Sequence, residues 1–219
     1  MMKLAIFDLD NTLISGDSDC LWGEYLIDIE QVDAETYRLG HEQYYQDYLE
    51  GKLDIHKFLE FQLKPLAQNS MHVLLQWRED YVNKKIKPLI LNKAIKLVDE
   101  HRQQGHQLLI ITATNRFLTE PIATIFKIDE LIACEPEQKD GQYTGKVTGI
   151  PSFAEGKVIR LEQWLQNQAQ QPEETWFYSD SHNDIPLLNK VDHPIAVDPD
   201  EALKKRAHES NWQIISLRE

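Results

Sequence analysis

Three short apolar runs, each closed by a polar or acidic residue, constrain the fold of this chain more than any other feature. Leu4-Ala5-Ile6-Phe7 ends at Asp8, Leu108-Leu109-Ile110-Ile111 ends at Thr112, and Trp176-Phe177-Tyr178-Ser179 ends at Asp180. Continuous apolar runs of this length suit strands buried on both faces. Helical patterns separate them. Pro88 suits the first turn of a helix reaching about Gln104, with Gly105 just past its end. Further helices are expected at about 117–126, 153–168, 185–189 and 201–209, and short strands at 131–134, 195–197 and near Ile214. Strands alternating with helices imply an α/β fold: a doubly wound parallel sheet covered on both faces. Ligands of such sheets collect beyond the carboxyl ends of the strands, where the three polar closures fall.

Residues 15–85 read differently. They are rich in Glu, Gln, Tyr, Leu and Lys and nearly free of β-branched runs. Apolar residues recur at helical spacing, as in Leu21, Tyr25 and Ile29, so several short helices are expected, broken near Gly51 and around 65–70. The segment is a helical insertion after the first strand. Residues 139–149, with Asp140-Gly141 and then Tyr143 and Val147 among Gly and Thr, read as a hairpin.

The totals exclude several classes. The 219 residues are 42% hydrophobic and 27% charged, and five Trp, eight Tyr and seven Phe argue against disorder. A net charge of -13 repels phosphate backbones, so nucleic acid is not an expected partner. The first apolar run is cut by Asp8 and Asp10, short of a secretory signal. No stretch approaches the roughly 20 apolar residues of a membrane span. Cys20 and Cys134 read as reduced, packed thiols of a cytoplasmic protein. The eight His residues form no zinc pattern, and His101 and His106, beside a helix end, read as surface residues. Trp22, Tyr25, Tyr44, Tyr45 and Tyr48 read as helix-packing residues. There is no Gly-rich nucleotide loop and no serine in a nucleophile elbow.

Four polar sites carry the chemistry. In Asp8-Leu9-Asp10-Asn11-Thr12, two carboxylates two residues apart face one side of an ideal strand, so one can attack while the other handles a proton. Thr112, with the backbone N–H groups that follow, can hold phosphate oxygens. Lys157, near the start of a helix, can neutralise a phosphate and an attacking carboxylate together. In Ser179-Asp180-Ser181-His182-Asn183-Asp184, Asp180 and Asp184 can bind a hard divalent cation through oxygen. Singly, each has a bland alternative: a turn, a strand threonine, a surface lysine, a helix cap. Together they supply nucleophile, acid–base group, phosphate clamp and metal, the parts of a phosphoryl-transfer site.

The order Asp8-x-Asp10-x-Thr12, Thr112, Lys157, Asp180-x-x-x-Asp184 resembles the haloacid dehalogenase superfamily of phosphohydrolases over nearly the whole chain. The helical insertion and the hairpin Tyr143-Thr144-Gly145-Lys146-Val147 are similar to its phosphoserine-phosphatase-like branch. The resemblance implies a catalytic core of 1–14 and 86–219 carrying a helical cap of 15–85. It implies that Asp8 attacks phosphorus and that Asp10 protonates the leaving alcohol, then activates water against the phospho-aspartate. Thr12 orients that loop, Thr112, Ala113 and Lys157 bind phosphoryl oxygens, and Asn183 reaches the phosphate side. Mg2+ would sit on Asp8, the Asp10 main-chain carbonyl and Asp180, with Asp184 bound to it directly or through water.

The insertion must choose the substrate. In phosphoserine phosphatases an acidic residue soon after the first motif meets the substrate's amine, and a cap arginine meets its carboxylate. Asp17 stands at the first place, with Asp19 and Glu24 nearby. Arg38 and Arg78 are the arginines of the insertion, and neither lies in the family's arginine context. Histidinol phosphate, which has an amine and an imidazole but no carboxylate, is the expected substrate. Phosphoserine or another small phosphorylated metabolite is the alternative. Thr112-Ala113-Thr114-Asn115 replaces the branch's Ser-Gly-Gly, so Thr114 or Asn115 is expected to face substrate. A phosphotransferase and a non-catalytic binding protein are the competing classes, and the filled catalytic positions speak against the second. The expected assembly is a monomer or homodimer.

Overall fold

The computed structural model describes residues 2–218. Seven strands are present among them: β1 (Lys3–Phe7), β2 (Gln107–Asn115), β3 (Glu130–Lys139), β4 (Gln142–Thr148), β5 (Glu174–Ser179), β6 (His193–Val197) and β7 (Gln213–Ile215). They form one sheet in the order β4-β3-β2-β1-β5-β6-β7, parallel except for the β3–β4 hairpin. The chain winds from β1 outward through β2 and β3, then returns to the other side of β1 at β5. That reversal opens a crevice at the carboxyl ends of β1, β2 and β5, the usual ligand position in such sheets.

Alternation along the strands builds two cores. Ala5, Phe7, Leu108, Ile110 and Tyr178 face one layer, and Leu4, Ile6, Leu109, Ile111 and Phe177 face the other. The second layer is closed by α7 (Glu155–Gln166), α8 (Ile185–Leu188) and α9 (Glu201–Ser210) through Val158, Leu161, Leu187, Leu188, Leu203 and Ala207. The first is closed in part by α5 (Asn92–Gln103) and α6 (Arg116–Ile125), through Val98, Phe117 and Ile122. Leu4, Ala5, Ile6 and Phe7 are fully buried, and each large side chain so placed contributes about 1.5–3 kcal/mol. This is the doubly wound sheet that the apolar runs imply.

Between β1 and α5 lie α1 (Ser18–Asp28), α2 (Ala34–Leu49), α3 (Ile55–Gln68) and α4 (Met71–Tyr81), followed by a π-turn and a 3-10 turn. Asp17, Asp33, Asp54 and Ser70 cap the four helices, each side chain accepting a first-turn N–H. The hairpin packs on α3 and turns at Asp140 and Gly141, with φ of 51° and 77°, the paired left-handed conformations of a type I′ turn.

The structure sharpens the sequence reading in three places. Pro88 lies in the 3-10 turn Lys87–Leu89 rather than in the following helix, because Ile90 is extended and bridges to Ile14, so α5 starts only at Asn92. The break expected at 65–70 falls at its far end: helix α3 runs through Pro65 to Gln68 and α4 starts at Met71, the buried Leu59, Leu63 and Leu66 outweighing the proline penalty of about 3 kcal/mol. Strand β2 does not end before Thr112. Its pairing with β3 slips after Ile111 and resumes at Asn115, so residues 112–114 form an irregular stretch at the crevice. Among the described residues no helix is long and apolar enough to cross a membrane.

Candidate active site

At the end of β1, Asp8 is held by main chain and side chain together. Its N–H donates to the Tyr178 carbonyl at 2.9 Å, and its Oδ1 accepts from Lys157 Nζ at 2.9 Å. The same ammonium donates to Asp184 Oδ2 at 2.7 Å, and that oxygen also accepts from Ser179 Oγ at 2.7 Å. Asp8, Lys157 and Asp184 are all buried.

A tight turn brings Lys157 there. Ala154 has a φ of 48°, a sparsely populated conformation for a residue with a side chain. Two residues on, a Cβ on Gly156 would lie 2.0 Å from the Pro151 carbonyl oxygen. Only glycine permits that approach. The turn is closed by the Gly156 N–H donating to the Phe153 carbonyl at 2.8 Å.

After β1 the chain loops through Asp10, Asn11 and Thr12. Thr12 Oγ1 donates to Asp180 Oδ1 at 3.0 Å and accepts the Asp180 N–H at 3.1 Å, tying the first loop to the end of β5. Asp10 Oδ1 accepts the Ser18 N–H at 2.7 Å. Asp10 Oδ2 faces Thr114 Oγ1 at 2.9 Å and Thr112 Oγ1 at 3.4 Å. Asn183 donates its N–H to Ser181 Oγ at 3.1 Å.

The four carboxylates Asp8, Asp10, Asp180 and Asp184, with Lys157, Thr112 and Thr114, border a cavity of about 590 Å³, shared with residues of α1, α2 and the start of α3. Asp8, Asp10, Asp17, Thr112, Ala113, Lys157, Asp180, Asn183 and Asp184 all line it, so residues spread over 177 positions of sequence meet in one place (184 − 8 + 1). Asp17 borders it while its carboxylate accepts the Cys20 N–H at 2.8 Å. From α2 come Arg38, Tyr44, Tyr45 and Tyr48, and from α1 comes Glu24.

The charge balance is lopsided. Asp8, Asp10, Asp180 and Asp184 share this end of the cavity with Lys157. Burial raises the Asp8 carboxyl to about 7; Lys157 opposes that rise and Asp184 adds to it. Burial and then Asp17 raise Asp10 to about 6, against the Ser18 and Thr114 hydrogen bonds. Burial, then Asp8 and Asp184, push Asp180 well up. Burial works against the Lys157 charge, but Asp184 and Asp8 overcome it and keep the ammonium protonated. Buried carboxylates in this excess fit a hard divalent cation, which would lower all of these values. Among the described residues no three His, Cys, Asp or Glu side chains converge as a metal cage. The fit is instead to a set with few side-chain ligands, Asp8 and Asp180, completed by main-chain oxygen and water, as magnesium accepts. Asp184, occupied by Lys157 and Ser179, stands behind that set.

The sequence profile of haloacid dehalogenase-like hydrolases matches residues 5–189. This chain belongs to that family. As a haloacid dehalogenase-like hydrolase it is 42% identical to a histidinol-phosphatase of Neisseria meningitidis serogroup C (strain 8013) over 222 residues, covering all of both chains. A solved structure of a Bordetella pertussis Tohama I protein of unknown function matches with a TM-score of 0.93 at 38% identity, covering all of both chains. A substrate-bound phosphoserine phosphatase matches with a TM-score of 0.72 at 20% identity over 100% of this chain and 94% of that one, a likeness of fold. This haloacid dehalogenase-like hydrolase is a phosphatase, a phosphoric monoester hydrolase.

Several sequence expectations are corrected. His101 and His106 are buried, not on the surface: their Nδ1 atoms are 2.7 Å apart, and His101 Nε2 pairs with the Tyr178 hydroxyl at 2.8 Å. Cys20 is exposed beside the cavity, whereas Cys134 is buried as expected. Trp22 and Tyr25 are core residues, but Tyr44, Tyr45 and Tyr48 line the cavity. Of Thr114 and Asn115, Thr114 lines the cavity and Asn115 does not; both are buried beside Asp19, to which they hydrogen bond at 3.0 and 3.4 Å. Arg78 is committed elsewhere. Pro121 within α6 has no N–H for the Phe117 carbonyl, and Arg78 Nη1 donates to that carbonyl at 3.0 Å. Sequence reasoning missed this link, although a proline inside a helical pattern signals an orphaned carbonyl four residues earlier.

Proposed function

We propose that this phosphatase hydrolyses histidinol phosphate to histidinol and phosphate through a covalent phosphoryl group on Asp8, with residues 1–14 and 86–219 as the catalytic core and residues 15–85 as its cap. The observation that carries the reaction is the buried contact of Lys157 with Asp8 at 2.9 Å, in a cavity that also holds Asp10 and Asp180. In the first step an Asp8 carboxylate oxygen attacks phosphorus and the ester P–O bond breaks. Asp10 gives its proton to the leaving oxygen. In the second, Asp10 takes a proton from water as that water attacks phosphorus, and the bond from phosphorus to Asp8 breaks. Lys157, Thr112 and the Ala113 N–H hold the non-bridging oxygens, with Asn183 beside them. Asp8, the Asp10 carbonyl and Asp180 would hold Mg2+, with Asp184 behind them through its bond to Lys157. When bound, the metal offsets the charge of the carboxylates and the phosphoryl group.

The substrate reading rests on the identity to the Neisseria meningitidis histidinol-phosphatase and on the walls of the cavity. Asp17, Glu24 and Glu42 line the leaving-group side with Tyr44, Tyr45 and Tyr48. Acidic and aromatic walls suit an amine and an imidazole. Phosphoserine would also need a cation for its carboxylate. Arg78 is committed to the Phe117 carbonyl, and Arg38 is exposed at the rim. The test is phosphate release with Mg2+ from histidinol phosphate, phosphoserine and sugar phosphates side by side. A kcat/KM for histidinol phosphate at least about tenfold above the others, roughly 1.4 kcal/mol, is expected. A preference for phosphoserine overturns the substrate reading, and no release from any ester overturns the reaction.

A further inference from the structure

Strand β3 changes partner in its middle. It pairs with β2 up to Cys134, opposite Asn115, and with β4 from Glu135, opposite Thr148. At that change Glu135 accepts from two arginines. Arg116 meets it fork to carboxylate, with Nε 2.8 Å from Oε2 and Nη2 2.9 Å from Oε1. Arg160 Nη2 reaches the same Oε1 at 3.3 Å. The two arginines come from different parts of the site. Arg116 opens α6, directly after Asn115 and the irregular stretch 112–114. Arg160 follows Lys157 by three residues on α7, a neighbouring position on the helix surface.

Each arginine also holds a main-chain carbonyl. Arg116 Nη2 donates to Leu131 at 2.7 Å, and Arg160 Nη1 donates to Ile150 at 2.9 Å. Ile150 leads into the turn that presents Lys157, and Gly156 packs against the next carbonyl, that of Pro151. Beside Glu135, Cys134 Sγ accepts the Ser152 N–H at 3.3 Å. Two adjacent residues of β3 therefore grip both the exit of the 112–114 stretch and the turn before Lys157. The side chains of Arg160, Glu135 and Arg116 are 16, 29 and 35% exposed. A lone ion pair at that exposure contributes little, but a bidentate pair within a network that ends on main chain holds its geometry.

That geometry matters because the phosphoryl oxygens are held from two elements, Thr112 and Ala113 after β2 and Lys157 on α7. Such a site works only when its groups keep their places within about 0.5 Å. We propose that Glu135 is a positioning residue, the centre of an Arg116–Glu135–Arg160 bracket that fixes the separation of the two phosphate-holding elements. The proposal rests on the reading of Thr112, Ala113 and Lys157 as the groups that hold the phosphoryl oxygens. Glu135 touches no substrate. It acts through the segments that its two arginines anchor.

The test is hydrolysis of p-nitrophenyl phosphate with Mg2+, at a temperature where circular dichroism shows each variant folded. It is read as kcat and as the inhibition constant of inorganic phosphate. Glu135→Ala is expected to lower kcat about tenfold or more and to raise the phosphate constant about threefold or more, because misplaced positioning groups lose rate on that scale. Arg116→Met and Arg160→Met each open one arm, and each is expected to lower kcat to a similar degree. A bracket fails when either arm opens. The double variant, Arg116→Met with Arg160→Met, is therefore expected to lose no more kcat than the worse single variant, whereas independent contributions would multiply. A merely structural role would lower the melting temperature and leave kcat and the phosphate constant of the folded protein at wild-type values. That result in Glu135→Ala overturns the proposal, as do arginine losses that multiply. Should Glu135→Ala not fold, the arginine variants decide: losses that do not multiply support the bracket, and multiplied losses or wild-type kcat in either single variant overturn it. Wild-type kcat in both Lys157→Met and Thr112→Val would instead overturn the reading of the phosphate-holding groups beneath it.

Discussion

Lys157 Nζ lies 2.9 Å from Asp8 Oδ1 in a place that solvent barely reaches, and the same ammonium holds Asp184 at 2.7 Å. Lys157→Met would leave both carboxyls without their cation. Breaking a buried pair in this way costs about 3–5 kcal/mol, because the remaining charge is uncompensated. Metal-free urea unfolding is expected to show that loss, and kcat is expected to fall by about 10²-fold or more through lost charge stabilisation. Lys157→Arg is not expected to restore turnover, since a planar guanidinium cannot take the place of a point charge between two carboxylates. Unchanged stability in Lys157→Met would count against the pair as a structural element.

The buried histidines give a separate signature. Burial, and then the neighbouring His106, lower His101 from the ordinary 6.5 to about 4. His101 is therefore neutral in the folded chain across a range where the unfolded chain takes up a proton. The stability that follows is full above pH 6.5 and is lost as pH falls toward 4, in total on the order of 3 kcal/mol. His101→Gln is expected to show a flatter decline over that window, measured as unfolding free energy against pH. Parallel curves for the two proteins would contradict the assignment.

Tyr48 links α2 to the loop after β5, its hydroxyl 2.5 Å from Ser181 Oγ. Its ring also lies near Phe153 and His182, with centroids 6.2 and 6.1 Å away. Tyr48→Phe keeps the ring and removes one hydrogen bond, worth about 0.5–1.5 kcal/mol. A rise in KM of about two- to tenfold with little change in melting temperature is expected. A change in melting temperature with KM intact would make the contact purely structural.

Arg78 tests the leaving-group reading from the other side. Arg78→Met removes the donor that satisfies the Phe117 carbonyl. The cost is about 1–3 kcal/mol of stability, read from urea unfolding, and KM for phosphorylated substrates should not move. A selective rise in KM for phosphoserine would place Arg78 in substrate binding.

What was legible in the sequence follows a physical divide. The apolar runs before Asp8, Thr112 and Asp180 announced a parallel sheet, because strands buried on both faces leave no polar alternation. Asp140-Gly141 announced a hairpin, because its turn needs two left-handed residues. The residues around the cavity were legible as an ordered set, since a strand end and a helix start fix where a side chain emerges. The walls were not. Helical spacing in α2 shows that Tyr44, Tyr45 and Tyr48 share a surface but not whether it meets core or cavity. His101 and His106 looked exposed because local pattern carries no trace of Tyr178, 72 residues beyond His106, that caps the pair (178 − 106). The slip in β2 that turns Thr114 toward Asp10 and Asp19 depends on pairing with β3, which no local pattern encodes.

Covalent phosphorylation of Asp8 is the central claim. The most direct measurement is acid quench of the enzyme during turnover of histidinol phosphate with Mg2+, followed by mass analysis of its peptides. One added phosphoryl group is expected on the peptide containing Asp8, labile at neutral pH and absent, together with turnover, in Asp8→Asn. Phosphate release at wild-type rates by Asp8→Asn, with no phosphorylated peptide in either protein, would contradict it.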